Sequence, residues 1–469
     1  MRSARPSTNS RPRRGKLSPA AAASTAVLSL AIAAIPAQAA QAAPPPGVPA
    51  VSLGQGHGHG LDHEALGKSL EAFHEAGMHG AYSAVRDGSA RWRGAAGVAD
   101  VDTGRPVRPD FEHRIGSVTK TFTSVAVLQQ VQRGRVDLDA PIGRYLPGLV
   151  PGEGGREVTV RMLLNHTSGL GDYDLDAFPG LLVNPAKALD EARFRHREPE
   201  KLVRTGLAAE PEAERGSFGY ANTNYIIAGL LLRKVTGQDP EEYITREVIR
   251  KAGLRHTYFP RTPRLSGPHA RMYESMYGLI DPARDYSVYD MSWAGTAGGL
   301  VSTMQDLNDF YRQLLGGELL GPDELRAMRT TVPVPGSAPG GEAGVRYGLG
   351  ILSQELSGRR YWGHDGIVWG AGTMALSSED GSRQVALGYN MTKYERFDEN
   401  GAWLPDPIGA ARVNHVYGAL TGTFPLHPAD PADPAAPSTP SAPSTQQRRQ
   451  LPGLPAVSSP AAAPERIHR

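Results

Sequence analysis

The chain has 469 residues, no cysteine, and 50 basic against 48 acidic side chains, a formal charge of +2. Without cysteine it has neither disulfides nor a cysteine-borne lipid anchor, so stability has to come from burying apolar side chains. A body of about 380 residues is long enough for that, and beyond the first sixteen residues no basic cluster makes a case for nucleic acid as a partner.

Residues 1–42 read as an export signal. Arg2, Arg5, Arg11, Arg13, Arg14 and Lys16 precede an apolar run from Ala20 to Ile35, and Ala37-Gln38-Ala39 or Ala40-Gln41-Ala42 fits a cleavage site. The run is too short and too rich in small residues to span a membrane. Arg13-Arg14 leaves both the twin-arginine and the general export route open. Losing this segment removes six basic residues and leaves 44 basic against 48 acidic, a formal −4. Residues 43–63 read as a flexible stretch, whose His57, His59 and His63 lie in a glycine-rich, solvated setting rather than a metal site.

Glu64 to Ala76 is predicted as the first helix, followed by strands around 80–85 and 90–97 joined at Asp87-Gly88, a hairpin signal. Ser117-Val118-Thr119-Lys120 opens the next helix. Phe122, Val125, Val127, Leu128 and Val131 recur with helical spacing, and Gly134 stands where a helix closes. That spacing puts a hydroxyl and an amine one turn apart on one face. A serine hydroxyl needs a neighbouring base to become a nucleophile, and a desolvated lysine is one such base. The unpaired N–H groups of a helix start favour the negative charge that develops there.

From this helix to about Asp290 the pattern is helical and loop-rich. Asn165-His166-Thr167-Ser168-Gly169 reads as a shaping turn. Tyr220-Ala221-Asn222 opens a second helical run, Ile226, Ile227, Leu230, Leu231 and Val235, ended by Gly237. Ser302-Thr303 caps a helix from Met304 to Leu315. Late strands are predicted near 347–352, 359–363, 371–377 and 384–390, and His364-Asp365-Gly366 follows the strand-like Arg360-Tyr361-Trp362. A helix around 408–420 closes the body, and residues 426–469, dominated by Pro, Ala, Ser and Thr, are predicted to stay disordered. No zinc pattern, phosphate loop or dinucleotide fingerprint is present, so neither metal nor cofactor is expected. Pattern alone gives a mixed α and β body of two lobes.

The order Ser-x-x-Lys, Tyr-x-Asn, then a basic residue-x-Gly on a late strand resembles the serine β-lactamase and penicillin-binding protein superfamily. Leu163-Leu164-Asn165-His166-Thr167-Ser168-Gly169-Leu170, Tyr220 to Tyr225 and Ser292 to Gly299 are similar to the secreted serine D-Ala-D-Ala carboxypeptidases. That family in turn resembles class C β-lactamases, esterases and D-aminopeptidases. The resemblance runs from Val51 to Phe424. It implies an α+β fold, an antiparallel sheet flanked by helices on both faces plus an all-helical domain. The hydrolase domain is then 64–425, with an α/β lobe of 64–111 and 296–425 and a helical lobe of 112–295.

The resemblance also implies roles. Ser117 is the expected nucleophile, with Lys120 or Tyr220 as its base and His364 as the third corner of the catalytic set. Asn222 fixes Lys120 and binds the substrate amide. The backbone N–H groups of Ser117 and Ile367 form the oxyanion hole, Gly366 lets the backbone approach, and Trp293 and Asp365 line the substrate site. The leading expectation is a secreted, monomeric, penicillin-sensitive D-alanyl-D-alanine carboxypeptidase acting on cell-wall peptides, without a transmembrane anchor once the signal is removed. An esterase, D-aminopeptidase or β-lactamase keeps the same chemistry, and a wall-associated β-lactam-binding protein without turnover is the non-enzymatic alternative. One departure bears on the substrate. Asp365 replaces the usual Thr or Ser, and Ile367 also lacks a hydroxyl, so the third motif is poorly suited to a carboxylate substrate and better to esters or amides.

Overall fold

Strands buried on both faces build the frame that positions the site. The computed structural model describes residues 60–335, 344–398 and 401–424. The predicted export signal, residues 43–59 with His57 and His59, and the tail from 425 lie outside the described residues. The main sheet draws on nine strands, in chain order β1 Gly80–Asp87, β2 Ala90–Asp100, β3 Arg105–Pro106, β4 Val332–Pro333, β5 Arg346–Tyr347, β6 Leu352–Leu356, β7 Arg359–Val368, β8 Ala371–Ser378 and β9 Arg383–Tyr389. They form one antiparallel sheet in the order β3-β2-β1-β9-β8-β7-β6-β5-β4. The N-terminal hairpin therefore closes on the last strand, with Ala81 opposite Tyr389 and Val85 opposite Val385.

The hairpin turn differs from its sequence expectation by one residue. Asp87 pairs with Ala90, so Gly88-Ser89 makes the turn. Gly88 has φ +56°, a conformation that costs glycine nothing and that a two-residue hairpin turn demands at its first central position.

Five helices frame the sheet and the site: α1 His63–Glu75, α2 Thr119–Gln132, α3 Asn222–Thr236, α4 Met304–Leu315 and α5 Pro407–Thr421. Alternation along β1 assigns two of them to opposite faces. Ser83 Oγ lies 2.9 Å from His415 Nε2 of α5, while Tyr82 and Gly388 opposite it face Met304 of α4. Helices α1 and α5 pack together over β2 and β9, burying Leu66, Leu70, Phe73, Val385, Leu387, Val416 and Leu420. Each such side chain contributes about 1.5–3 kcal/mol when fully buried.

Helices α2 and α3 lie side by side. Helix α2 is buried almost throughout, and Phe122 stacks on Phe310 of α4 with ring centroids 3.7 Å apart. Thr303 Oγ1 accepts the Asp306 N–H at 3.2 Å and caps α4, as its sequence anticipates. Gly237 adopts the left-handed conformation that ends α3. Among the described residues no helix is long and apolar enough to cross a membrane.

Candidate active site

A short turn of 3-10 helix, Gly116–Val118, carries Ser117 into α2. Its position is fixed by contact between two backbones. Gly116 has φ +50°, and a Cβ placed on it would stand 2.8 Å from the amide nitrogen of Ile367. A Cβ on Gly366 would stand 2.0 Å from the Ile115 carbonyl oxygen and 2.8 Å from the Ser117 nitrogen. Neither position tolerates a side chain, so the turn before α2 and strand β7 run against each other. The sequence pattern assigns Gly366 to close approach of the substrate; the structure shows it meeting the backbone that carries Ser117. The Ser117 and Ile367 amides thereby belong to adjoining segments.

The side chains converge on the Ser117 hydroxyl from two directions. Lys120 Nζ lies 3.0 Å from Ser117 Oγ, and the Tyr220 hydroxyl donates to the same oxygen at 2.8 Å. Lys120 is held by two further acceptors, Asn222 Oδ1 at 2.6 Å and the Ala297 carbonyl at 2.9 Å. That carbonyl is anchored from both helices. Thr123 of α2 donates to the Thr296 carbonyl at 2.7 Å, and Thr296 Oγ1 donates to the Tyr225 carbonyl of α3 at 2.8 Å. Tyr220 and Asn222 flank the first residues of α3, whose cap position is Ala221.

Burial sets the proton chemistry. Lys120 is fully buried, and loss of water pushes its ammonium down to about 7, against the pull of Asp174, Asp172 and Asp365. Burial pushes the Tyr220 phenol well above its ordinary value, only partly offset by its hydrogen bond to Ser117. Burial thus keeps the phenol an O–H donor, whereas it makes the amine the easier of the two to hold neutral. Two of the amine's directions face obligate acceptors, the Asn222 and Ala297 oxygens. The third faces Ser117, where a neutral amine presents its lone pair.

His364 is placed differently from the other three. It is buried, its Nδ1 donates to the carbonyl of Asp365 at 2.5 Å, and its Nε2 lies 2.8 Å from the Tyr347 hydroxyl. A carbonyl only accepts, so Nδ1 carries the proton in the neutral ring and Nε2 accepts from Tyr347. The Asp365 carboxylate lies 3.5 Å from His364 Nδ1. Trp293 packs in an aromatic cluster, 5.3 Å from Phe178 and 5.6 Å from Trp369 between centroids, and its carbonyl accepts from the Tyr173 hydroxyl at 2.7 Å.

Three further residues join this constellation, and two of them, Asp172 and Asp174, carry no signal in the sequence. His166, in the predicted shaping turn, has φ +59° and stacks on Tyr220 with centroids 4.1 Å apart. Its Nδ1 accepts the Ala221 N–H at 3.2 Å, so the turn does shape the site by holding the start of α3. Burial and the nearby Lys120 hold this imidazole neutral. Asp172 and Asp174 grip Asn222 from the side opposite Lys120. Acidic residues two apart are common on loop surfaces, so nothing local marks them out. Among the described residues no group of three His, Cys, Asp or Glu side chains could hold a metal ion.

Known proteins share these features. The family model described as Beta-lactamase matches residues 51–404. A D-stereospecific amidohydrolase from a Streptomyces species superposes with a TM-score of 0.66 and 35% identity, covering 77% of this chain and 99% of that one. The esterase EstB of Burkholderia gladioli is 33% identical over 193 residues, 40% of this chain and 49% of the esterase. A D-aminopeptidase from Brucella anthropi is 27% identical over 300 residues, 63% of this chain and 53% of the relative. The chain thus spans about half the length of these two curated relatives. The fold, the order of its motifs and these matches agree: the chain belongs to the beta-lactamase family of serine hydrolases.

Proposed function

We propose that the protein hydrolyses amides or esters of D-amino acids through an acyl-enzyme on Ser117. The observation that carries the reading is the electrostatics around Ser117. Asp172, Asp174 and Asp365 all act on the buried Lys120, whose nitrogen is already engaged by Asn222 and Ala297. A site with this excess of carboxylates suits an acyl donor that is neutral or bears an ammonium group better than one ending in a free carboxylate. Similarity to the D-stereospecific amidohydrolase supports the D configuration.

In this mechanism neutral Lys120 takes the Ser117 proton as Oγ attacks the carbonyl carbon. The backbone N–H groups of Ser117 and Ile367 receive the oxyanion, a contribution of about 2.7–4 kcal/mol per donor. The Tyr220 hydroxyl then protonates the leaving nitrogen or oxygen as the C–N or C–O bond breaks, and the Lys120 ammonium, which holds the proton taken from Ser117, passes it directly to the phenolate. Attack by water on the ester releases the acid and regenerates Ser117. Export belongs to the same proposal and rests on the basic, apolar and small-residue order of residues 1–42.

The leading sequence expectation, a D-alanyl-D-alanine carboxypeptidase, shares every step but needs the peptide's terminal carboxylate to be held. A panel separates the two: D-alanine p-nitroanilide, D-phenylalanine amide, a chromogenic short-chain ester, a D-Ala-D-Ala peptide and a fluorescent penicillin. Turnover of the amide or anilide with D over L preference, and slower release of D-alanine from the peptide, is the expected result. Efficient peptide cleavage with lasting penicillin label and no amide turnover overturns it in favour of the carboxypeptidase.

A further inference from the structure

Asn222 uses all of its polar atoms. Its Oδ1 accepts from Lys120, while its Nδ2 donates to Asp172 Oδ2 at 3.1 Å and to Asp174 Oδ2 at 2.9 Å, and its backbone N–H donates to the same Asp172 oxygen at 3.1 Å. The two carboxylates therefore leave the amide one orientation. Turning it over would set the Asn222 oxygen against two acceptors and its NH2 group against the ammonium. Asp174 Oδ1 is buried with no hydrogen-bond partner among the described residues. Two carboxylates sharing one amide in a buried setting cannot both ionise cheaply. Asp172, with two N–H donors on one oxygen, is the better stabilised anion, and Asp174 is the harder of the two to ionise.

We infer that Asp172 and Asp174 are positioning residues, a carboxylate pair that locks the Asn222 amide and through it sets the orientation and charge of Lys120. This role rests on the reading of Ser117 and Lys120 as nucleophile and base. Burial holds the Asp174 proton well above the ordinary carboxylate range, with Asp172 adding to the shift. Other groups complete the field. Asp365, Tyr220, Tyr225 and His166 face Lys120, the two tyrosine rings centred 4.8 and 5.5 Å from its nitrogen. Glu212 and Lys393 face the pair, and Lys393 is itself bound to Glu274 at 2.9 Å. None of these surrounding groups bonds the Asn222 side chain, whose NH2 group is held by the carboxylate pair and whose oxygen is held by Lys120.

The test measures the rate at which a fluorophosphonate probe labels Ser117 across pH 5–9, which requires no knowledge of the natural substrate. Wild-type labelling should rise with a midpoint near 7, the point at which Lys120 becomes neutral. Asp172→Asn keeps an acceptor oxygen but removes the charge, so the midpoint should fall by about one unit. Labelling at pH 6 relative to the pH 9 plateau then rises about fivefold. Asp174→Asn removes the other carboxylate that acts on Lys120 and should move the midpoint the same way. A role confined to folding lowers every rate alike and leaves the midpoint in place. A midpoint unmoved in both variants, moved upward in either, or moved only by Asp174→Asn overturns the assignment. Failure of the wild type to label at Ser117 overturns the nucleophile reading itself, and this role falls with it.

Discussion

Two regions of the molecule build the site in opposite ways. At Ser117, Lys120 and Tyr220 the functional groups of the side chains meet one another, at 3.0 and 2.8 Å from the Ser117 oxygen. At His364-Asp365-Gly366 the His364 ring bonds Tyr347, Asp365 acts on Lys120 through its charge, and it is the backbone of Gly366 and Ile367 that meets the Ser117 segment. The first corner is recognised by the groups it carries, the second by the side chain it lacks.

Substitutions sharpen this contrast. Ser117→Ala should lower kcat/KM by about 10⁴-fold or more while leaving the circular dichroism spectrum unchanged. Tyr220→Phe removes the proton donor at 2.8 Å and should cost about 10²–10⁴-fold in kcat, more for a poor leaving group such as an amide than for an ester. Equal losses on both substrates would show that the phenol does not protonate the leaving group.

Gly366→Ala breaks the backbone corner. Its methyl would stand 2.0 Å from the Ile115 carbonyl and force the two segments apart, so kcat should fall by about 10²–10³-fold with little change in KM. His364→Gln tests the side chain that the geometry leaves aside. It should change kcat by less than about tenfold while costing about 1–3 kcal/mol of stability, because the Tyr347 hydroxyl loses its buried partner. If His364→Gln costs as much rate as Tyr220→Phe, the contrast between the two corners fails.

Sequence and structure agree where interactions are local and part where they are not. The Ser117 to Lys120 spacing is legible because a helix turn fixes it, and the extents of α3 and α4 follow from Ala221-Asn222, Gly237 and Thr303. The antiparallel sheet with helices on both faces follows from the family resemblance rather than from periodicity. The turn toward Tyr347 that occupies His364 is not legible, because it depends on how β7 sits beside a residue from a different strand. Gly116 is easily passed over because glycine near a helix start is ordinary; only its distance to Ile367 gives it meaning. Asp172 and Asp174 gain theirs from Asn222, about fifty residues later in the chain. Lys120 is legible as a residue, but its protonation is not, since burial is a property of the assembled core.

The proposed chemistry stands or falls on that protonation state, and titrating Lys120 directly is its sharpest test. In protein labelled with ¹³C at the lysine ε-carbon, assigned through Lys120→Arg, the Lys120 resonance should titrate with a midpoint of about 7. A midpoint near the ordinary lysine value of about 10.4 would leave a permanent ammonium beside Ser117, unable to take its proton, and would contradict the role of Lys120 as the base.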